Sequence, residues 1–179
     1  MRTSTSLDEF DEHWTQFLHR VERVWSKTIA HYGRSPKWGN WAAGYIKDRR
    51  RDQLLSYLIN ARGAEEHTTA EVTAREQGGL GVRVAPGAGL QPDGRTLIQD
   101  MTFGPGPDGM YVSSTLPLQV ALFPARVRLL PVENRGRTYP IPTIHLDVAI
   151  DPDDLIATAE LALHYYVQVV EKAEWHFVK

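Results

Sequence analysis

Two side chains in the stretch "YLINARGAEEH" have the chemistry needed to handle a phosphate ester: Arg62 and His67. An arginine offers a planar fork of donors that fits phosphate oxygens. A histidine, whose unperturbed pKa lies near about 6.5, can take or give a proton at neutral pH. Together they supply a cation that can hold an anion, and a proton carrier. The placement of Arg62 is unusual. Leu54, Leu55, Leu58 and Ile59 follow the spacing of one helical face, and Arg62 falls next on that face, within about 60° of Leu55, Leu58 and Ile59. A charge there must be paired, reach water past the helix end, or face a groove or a subunit interface. His67 lies about 140° round from Arg62 on an ideal helix. The two meet only if the helix bends or ends at Gly63, or if a second chain brings them together. Glu65 and Glu66 are either orienting groups for His67 or solvated carboxylates at a helix end.

Other candidates surround this pair. Lys47, Arg49, Arg50 and Arg51 in "IKDRRRD" precede the motif helix and form a candidate RNA-binding run, the alternative being a solvated turn. Trp38, Trp41 and Tyr45 are candidates for base stacking or for packing. Glu160 and His164 stand at i, i+4, a metal-holding spacing, with no third ligand evident. His13 and His19 read as surface residues, and His145, after "YPIPTI", receives no role. The sequence has no phosphate-binding loop before a helix, no G-x-S-x-G and no H-E-x-x-H.

The elements that must position these residues follow from periodicity. Ser6 and Glu9 make a capping box, and Phe10, Trp14, Phe17, Leu18, Val21, Trp25 and Ile29 recur at helical spacing, which predicts a helix over residues 7–31. "GRSPKWGN" breaks it. A second helix is predicted over 52–66 with Asp52 as its cap, and a short one over 67–77. From residue 78 to 150, glycine and proline punctuate short runs such as "GVRVAP" and "QVALFPARVRLLPV", predicting four or five antiparallel strands. "QPDGR" and "GPDGM" are turn candidates. A final helix begins at Asp151 as cap with Pro152 in its first turn, and carries Leu155, Ile156, Ala159, Leu163, Tyr166, Val167 and Val170 as its apolar stripe. The expected fold class is α+β in a single domain, residues 1–179. Its helical core spans 7–77 and 151–177, and an inserted antiparallel β-sheet spans 78–150 between the motif helix and the last helix.

Bulk composition narrows the function. With 20 basic and 22 acidic residues, the formal charge of −2 gives no global basic field, so any nucleic-acid site is local. The absence of cysteine excludes disulfides, thiol catalysis and cysteine-ligated zinc. No segment reads as a signal peptide or membrane span, so the expected location is cytoplasmic.

Arg62-x4-His67 resembles the R-x4-6-H motif of HEPN domains (higher eukaryotes and prokaryotes nucleotide-binding), which are helical bundles. The resemblance covers residues 7–67 and 151–177. It departs from the family at Gly63, where Asn, Asp or His is frequent. Many members are metal-independent ribonucleases of toxin–antitoxin and phage-defence systems that act as dimers, two motifs forming one cleft. The resemblance therefore implies Arg62 as phosphate anchor and His67 as acid or base. It implies a 2′,3′-cyclic phosphate product, no cofactor, an RNA substrate, a homodimer, and a cognate antitoxin or defence partner. Two alternatives stand beside it. One is a non-catalytic dimeric interaction module in which Arg62 is a carboxylate-paired structural charge. The other is a small-ligand binder that uses the β insertion.

Overall fold

The computed structural model describes residues 6–67, 71–84, 102–106, 109–114 and 116–178. Among the described residues the chain forms four helices, α1 (Leu7–Tyr32), α2 (Trp38–Arg51), α3 (Gln53–His67) and α4 (Leu155–Val178), and ten strands, all of which fall between α3 and α4 in the sequence. The fold is α+β, with small antiparallel sheets set between helical elements. The strands are β1 (Thr73–Glu76), β2 (Gly79–Val84), β3 (Thr102–Gly106), β4 (Gly109–Ser113), β5 (Leu118–Phe123), β6 (Arg126–Leu129), β7 (Val132–Asn134), β8 (Arg137–Tyr139), β9 (Ile144–His145) and β10 (Val148–Ala149). They do not join into the one sheet expected from the sequence. They pair as five two-stranded ribbons, β1–β6, β2–β5, β3–β4, β7–β8 and β9–β10. Among the described residues no helix is long and apolar enough to cross a membrane.

The chain divides into two compact units, residues 1–76 with 127–179, and residues 77–126. In the second unit, β2 and β5 run antiparallel with Leu80 opposite Leu122 and Val82 opposite Val120, so one face of that ribbon is apolar. β3 and β4 pair on either side of residues 107–108, which belong to the "GPDGM" turn candidate and lie outside the described residues, as does "QPDGR".

In the first unit α3 is central. Leu54, Leu55, Tyr57, Leu58, Ala61 and Ala64 are all buried, an arc wider than a single stripe, because α3 packs on α1, α2 and α4 and also on β7, β8 and β9. The N-terminal half of α1 and of α4 meets α3 through Trp14, Leu18, Leu155, Ala159 and Ala162. Farther along, Val21 and Trp25 of α1 pack with Leu55, Tyr165, Tyr166 and Val169. α1 and α4 thus run parallel to each other.

Three boundaries differ from the sequence expectation. The segment expected as a helix over 67–77 contains strand β1, while residues 68–70 lie outside the described residues. Its β-branched Val72 and Thr73 are drawn into pairing: Leu130 N–H donates to the Val72 carbonyl at 3.0 Å, and the Tyr57 hydroxyl donates to the Leu130 carbonyl at 2.7 Å. α4 starts at Leu155, and its cap is Asp154 rather than Asp151, the Asp154 carboxylate accepting from Ala157 N–H at 2.9 Å. The segment from Trp38 to Arg51, read as an aromatic stretch and a basic turn, is the 14-residue helix α2.

That helix carries two glycines and lacks a side-chain N-cap, so its own propensity is weak. A buried charge holds it. The Arg49 guanidinium donates to Glu22 of α1 at 2.7 Å and to the hydroxyl of Tyr166 on α4, and it lies 4.6 Å from the centroid of Trp25. Only 8% of the Arg49 side chain is exposed. Burial pushes the Tyr166 hydroxyl up to about 12, so it stays protonated while accepting. Trp38, Trp41 and Tyr45 stack with one another and with Trp25, Phe177 and Tyr165, which is packing between α1, α2 and α4.

Removing one partner of a buried pair leaves the other charge uncompensated, so Arg49→Ala is expected to lower unfolding free energy by about 3–5 kcal/mol. Arg49→Lys is expected to recover only part of this, because an ammonium cannot reach Glu22 and Tyr166 at once while lying on Trp25. Urea unfolding followed by circular dichroism measures both; a midpoint for Arg49→Ala equal to the wild-type value would refute the assignment.

Candidate functional site

Arg62 sits on the turn before the last of α3, at the edge of its buried arc. Its Nη2 donates to Glu66 Oε1 at 2.6 Å, one turn toward the helix end, while its Nε is enclosed with no partner among the described residues. About a third of the side chain is exposed. The sequence requirement that this charge be paired or reach past the helix end is met in both ways. His67 closes α3, and its side chain lies outside the described residues, so the approach of His67 to Arg62 is not defined.

A different histidine lies beside this turn. His19, read from sequence as a surface residue, projects from α1 with Nε2 3.0 Å from Glu65 Oε2 and Nδ1 3.5 Å from Glu66 Oε1. Glu65 and Glu66 are therefore not idle carboxylates. They join His19 and Arg62 into one network between α1 and α3. Chemically, this end of α3 presents a guanidinium whose one ion-pair partner among the described residues is a partly exposed i, i+4 carboxylate, a pair worth only about 0.3–0.5 kcal/mol. An incoming phosphate oxygen can replace Glu66 at small cost. Nothing in the spacing of His19 marked it, because its proximity arises from the antiparallel packing of α1 on α3.

Gly63 also has a structural reason. A Cβ at this position would stand 2.6 Å from Asn134 Nδ2 on β7, and that same nitrogen donates to Asn60 Oδ1 at 3.0 Å. The residue that departs from the motif pattern is a point of close approach between α3 and a strand.

The basic run is divided by the fold. Arg49 is buried and its guanidinium is occupied, so it is removed from the set of RNA-binding candidates. Lys47 is exposed on α2, and Arg50 and Arg51 line a cleft at the other end of α3. At that end Asp52 caps α3, its Oδ1 accepting from Leu55 N–H at 2.9 Å. The same carboxylate accepts from His145 Nδ1 at 2.9 Å and from Leu146 N–H at 2.7 Å. Burial alone would raise the Asp52 carboxyl. The hydrogen bonds from His145, Leu55 and Leu146 outweigh it and hold the group below the ordinary carboxylate value. His145, which had no role in sequence, is thus the clamp of the β9–β10 turn onto the α2–α3 joint. The turn needs a clamp: Leu146 and Asp147 adopt φ of 46° and 68°, a left-handed pair that glycine or asparagine occupies more cheaply.

Glu160 and His164 remain without a third ligand; among the described residues no group of three His, Cys, Asp or Glu side chains is arranged to hold a metal. Comparisons with family models, with curated proteins and with solved structures return no match to this chain.

Two outcomes are expected. Because the folded pKa of Asp52 is depressed, its contribution to stability is fully present above the ordinary carboxylate value and is lost as pH falls through the lower folded value. Urea midpoints measured between pH 6 and pH 2 should fall less steeply on the acid side for Asp52→Asn than for wild type; parallel curves would remove the Asp52 linkage. Gly63→Ala should cost about 1 kcal/mol or more by displacing Asn134 from Asn60, and a thermal midpoint at or above wild type would show that Asn134 yields freely.

Proposed function

We propose that this chain is an HEPN-like, RNA-acting module whose site is the C-terminal end of α3, with Arg62 as phosphate anchor and His67 as the proton-transfer group. The observation that carries the reading is the state of Arg62: about two-thirds buried near the helix end, and among the described residues its Nε is enclosed without a partner and its charge is met only by the carboxylate of Glu66. A purely structural arginine in this chain looks different, as Arg49 shows with its buried carboxylate, tyrosine hydroxyl and indole face. The order of the helices, with the motif at the end of the third and a long last helix packed parallel to the first, also supports an HEPN-like core.

The chemistry is transesterification within RNA. The 2′-hydroxyl loses its proton, attacks the adjacent phosphorus and expels the 5′-oxygen, leaving a 2′,3′-cyclic phosphate. His67 takes or gives the proton, and Arg62 stabilises charge on the pentavalent phosphorus. DNA lacks the nucleophile. The active form is a homodimer that pairs two such helix ends. The exposed apolar residues Leu163, Val167, Trp175 and Val178 of α4 are available for contact with a second copy or with an antitoxin or defence partner.

A second reading, a non-catalytic interaction module, is favoured by the network that ties Arg62 and Glu66 to His19 and Glu65 across α1 and α3. One experiment separates them. Labelled mixed-sequence RNA and tRNA are incubated in EDTA with wild type, Arg62→Ala and His67→Ala, and 3′ ends are analysed. The ribonuclease reading expects cyclic-phosphate ends from wild type and a loss of about a hundredfold or more in either variant, both remaining folded. Absence of cleavage by a folded wild type, with Arg62→Ala shifting only the melting temperature, selects the interaction module.

A further inference from the structure

On the other face of α3 lies a cleft of about 720 Å³, a size that suits a small organic ligand. α3 contributes Gln53, Ser56, Ile59 and Asn60 to its floor, and Arg62, about 180° round the helix from Gln53 and about 160° from Asn60, does not line it. The cleft and the Arg62 end are separate sites.

The charges of this cleft are unbalanced. Arg49, Arg50, Arg51 and Arg137 line it, and Asp52 is its single lining carboxylate. Two of these five are already satisfied. Arg49 is neutralised by Glu22, and Asp52 accepts from His145, Leu55 and Leu146. Arg50, Arg51 and Arg137 are exposed, and among the described residues none of the three forms an ion pair. Three exposed arginines thus line one concavity with no ion-pair partner among the described residues.

The neutral polar groups have the matching sense. The Gln53 carbonyl oxygen accepts from both Thr143 N–H and the Thr143 hydroxyl, so the end of the amide left over is its NH2, a donor. Asn60 is placed similarly. Its oxygen accepts from Asn134, and one of its two N–H bonds is spent on the Ser56 carbonyl. The capacity these two amides have left is therefore as donors. The α1 and α2 wall is apolar, formed by Trp25, Ile29, Trp38 and Ile46.

We propose that this cleft binds a small phosphomonoester whose phosphate is held by Arg50, Arg51 and Arg137 and whose flat, apolar body lies against the Trp38 side. A dianion answers several guanidiniums where a single carboxylate answers one, and arginine forks match its oxygens in pairs. The apolar wall gives no gain to inorganic phosphate and a gain to a ring carried on it.

Isothermal titration of the full chain with inorganic phosphate, phenyl phosphate, benzoate and a four-nucleotide RNA, at matched ionic strength, tests this. The expected result is saturable one-to-one binding of phenyl phosphate, about tenfold tighter than inorganic phosphate or benzoate. Arg137→Gln and Arg51→Gln should each weaken it about tenfold with unchanged circular dichroism, and Trp38→Leu should erase the advantage over inorganic phosphate. His67→Ala should bind phenyl phosphate as wild type does, so failure of the ribonuclease reading leaves this result untouched. The proposal is overturned by no saturation up to about 10 mM, by affinity indifferent to both arginine variants, or by RNA binding that Arg51→Gln and Arg137→Gln weaken but phenyl phosphate does not displace, which would make the cleft a polynucleotide path.

Discussion

The buried charge of Arg49 is the constraint on which the arrangement of the helices depends. A guanidinium withdrawn from water is tolerable only where a carboxylate, further acceptors and a polarisable face are fixed around it. Here these come from two different helices, Glu22 and Trp25 from α1 and Tyr166 from α4, so satisfying one side chain of α2 fixes three helices at once. α2 contributes little helical propensity of its own. Its end point nevertheless determines where Asp52 stands, and Asp52 caps α3 and holds the β9–β10 turn. The position of Arg62 near the C-terminal end of α3 is thus the far end of a chain of constraints that begins at Arg49.

α3 is held differently at its two ends. At its start, one carboxylate accepts three hydrogen bonds, two of them from the backbone. At its finish, the polar contacts are between side chains that are each about a third exposed, where water competes and each pair contributes a few tenths of a kcal/mol. A rigid origin and a weakly paired terminus suit a helix that must present charged groups at a fixed place while leaving them free to change partners.

Much of this was legible in the sequence, and the failures share one cause. α1 could be read because its periodicity is long and Ser6 accepts from Glu9 N–H, as a capping box requires. α3 was read for the same reason, down to its cap. α2 was not, because Gly39 and Gly44 dilute the pattern and its stability is tertiary. Had the stretch been read as helix, Arg49 would have fallen in phase with Ala42, Tyr45 and Ile46, which was the one signal that this arginine of the run turns inward. The helix expected over 67–77 failed because its pairing with β6, supported by Tyr57, comes from distant residues. His19, His145 and Arg137 gain their neighbours only through packing between elements far apart in the chain, and no local spacing encodes that.

Arginines in this chain can be sorted by how their charge is answered. Arg49 has enough fixed partners to be immobile, and any replacement must reproduce all of them. Among the described residues Arg62 has one ion-pair partner and an enclosed Nε that none of them answers. Arg50, Arg51 and Arg137 have no acidic partner among the described residues, and their charges add in a concavity whose own carboxylate is committed elsewhere. Gln53 and Arg62 are about 13 Å apart along the axis and face different sides of α3. A small molecule cannot touch both. Any influence of one site on the other must therefore pass through the position of α3 itself, and α3 is fixed at its start by Asp52, the residue that borders the cleft.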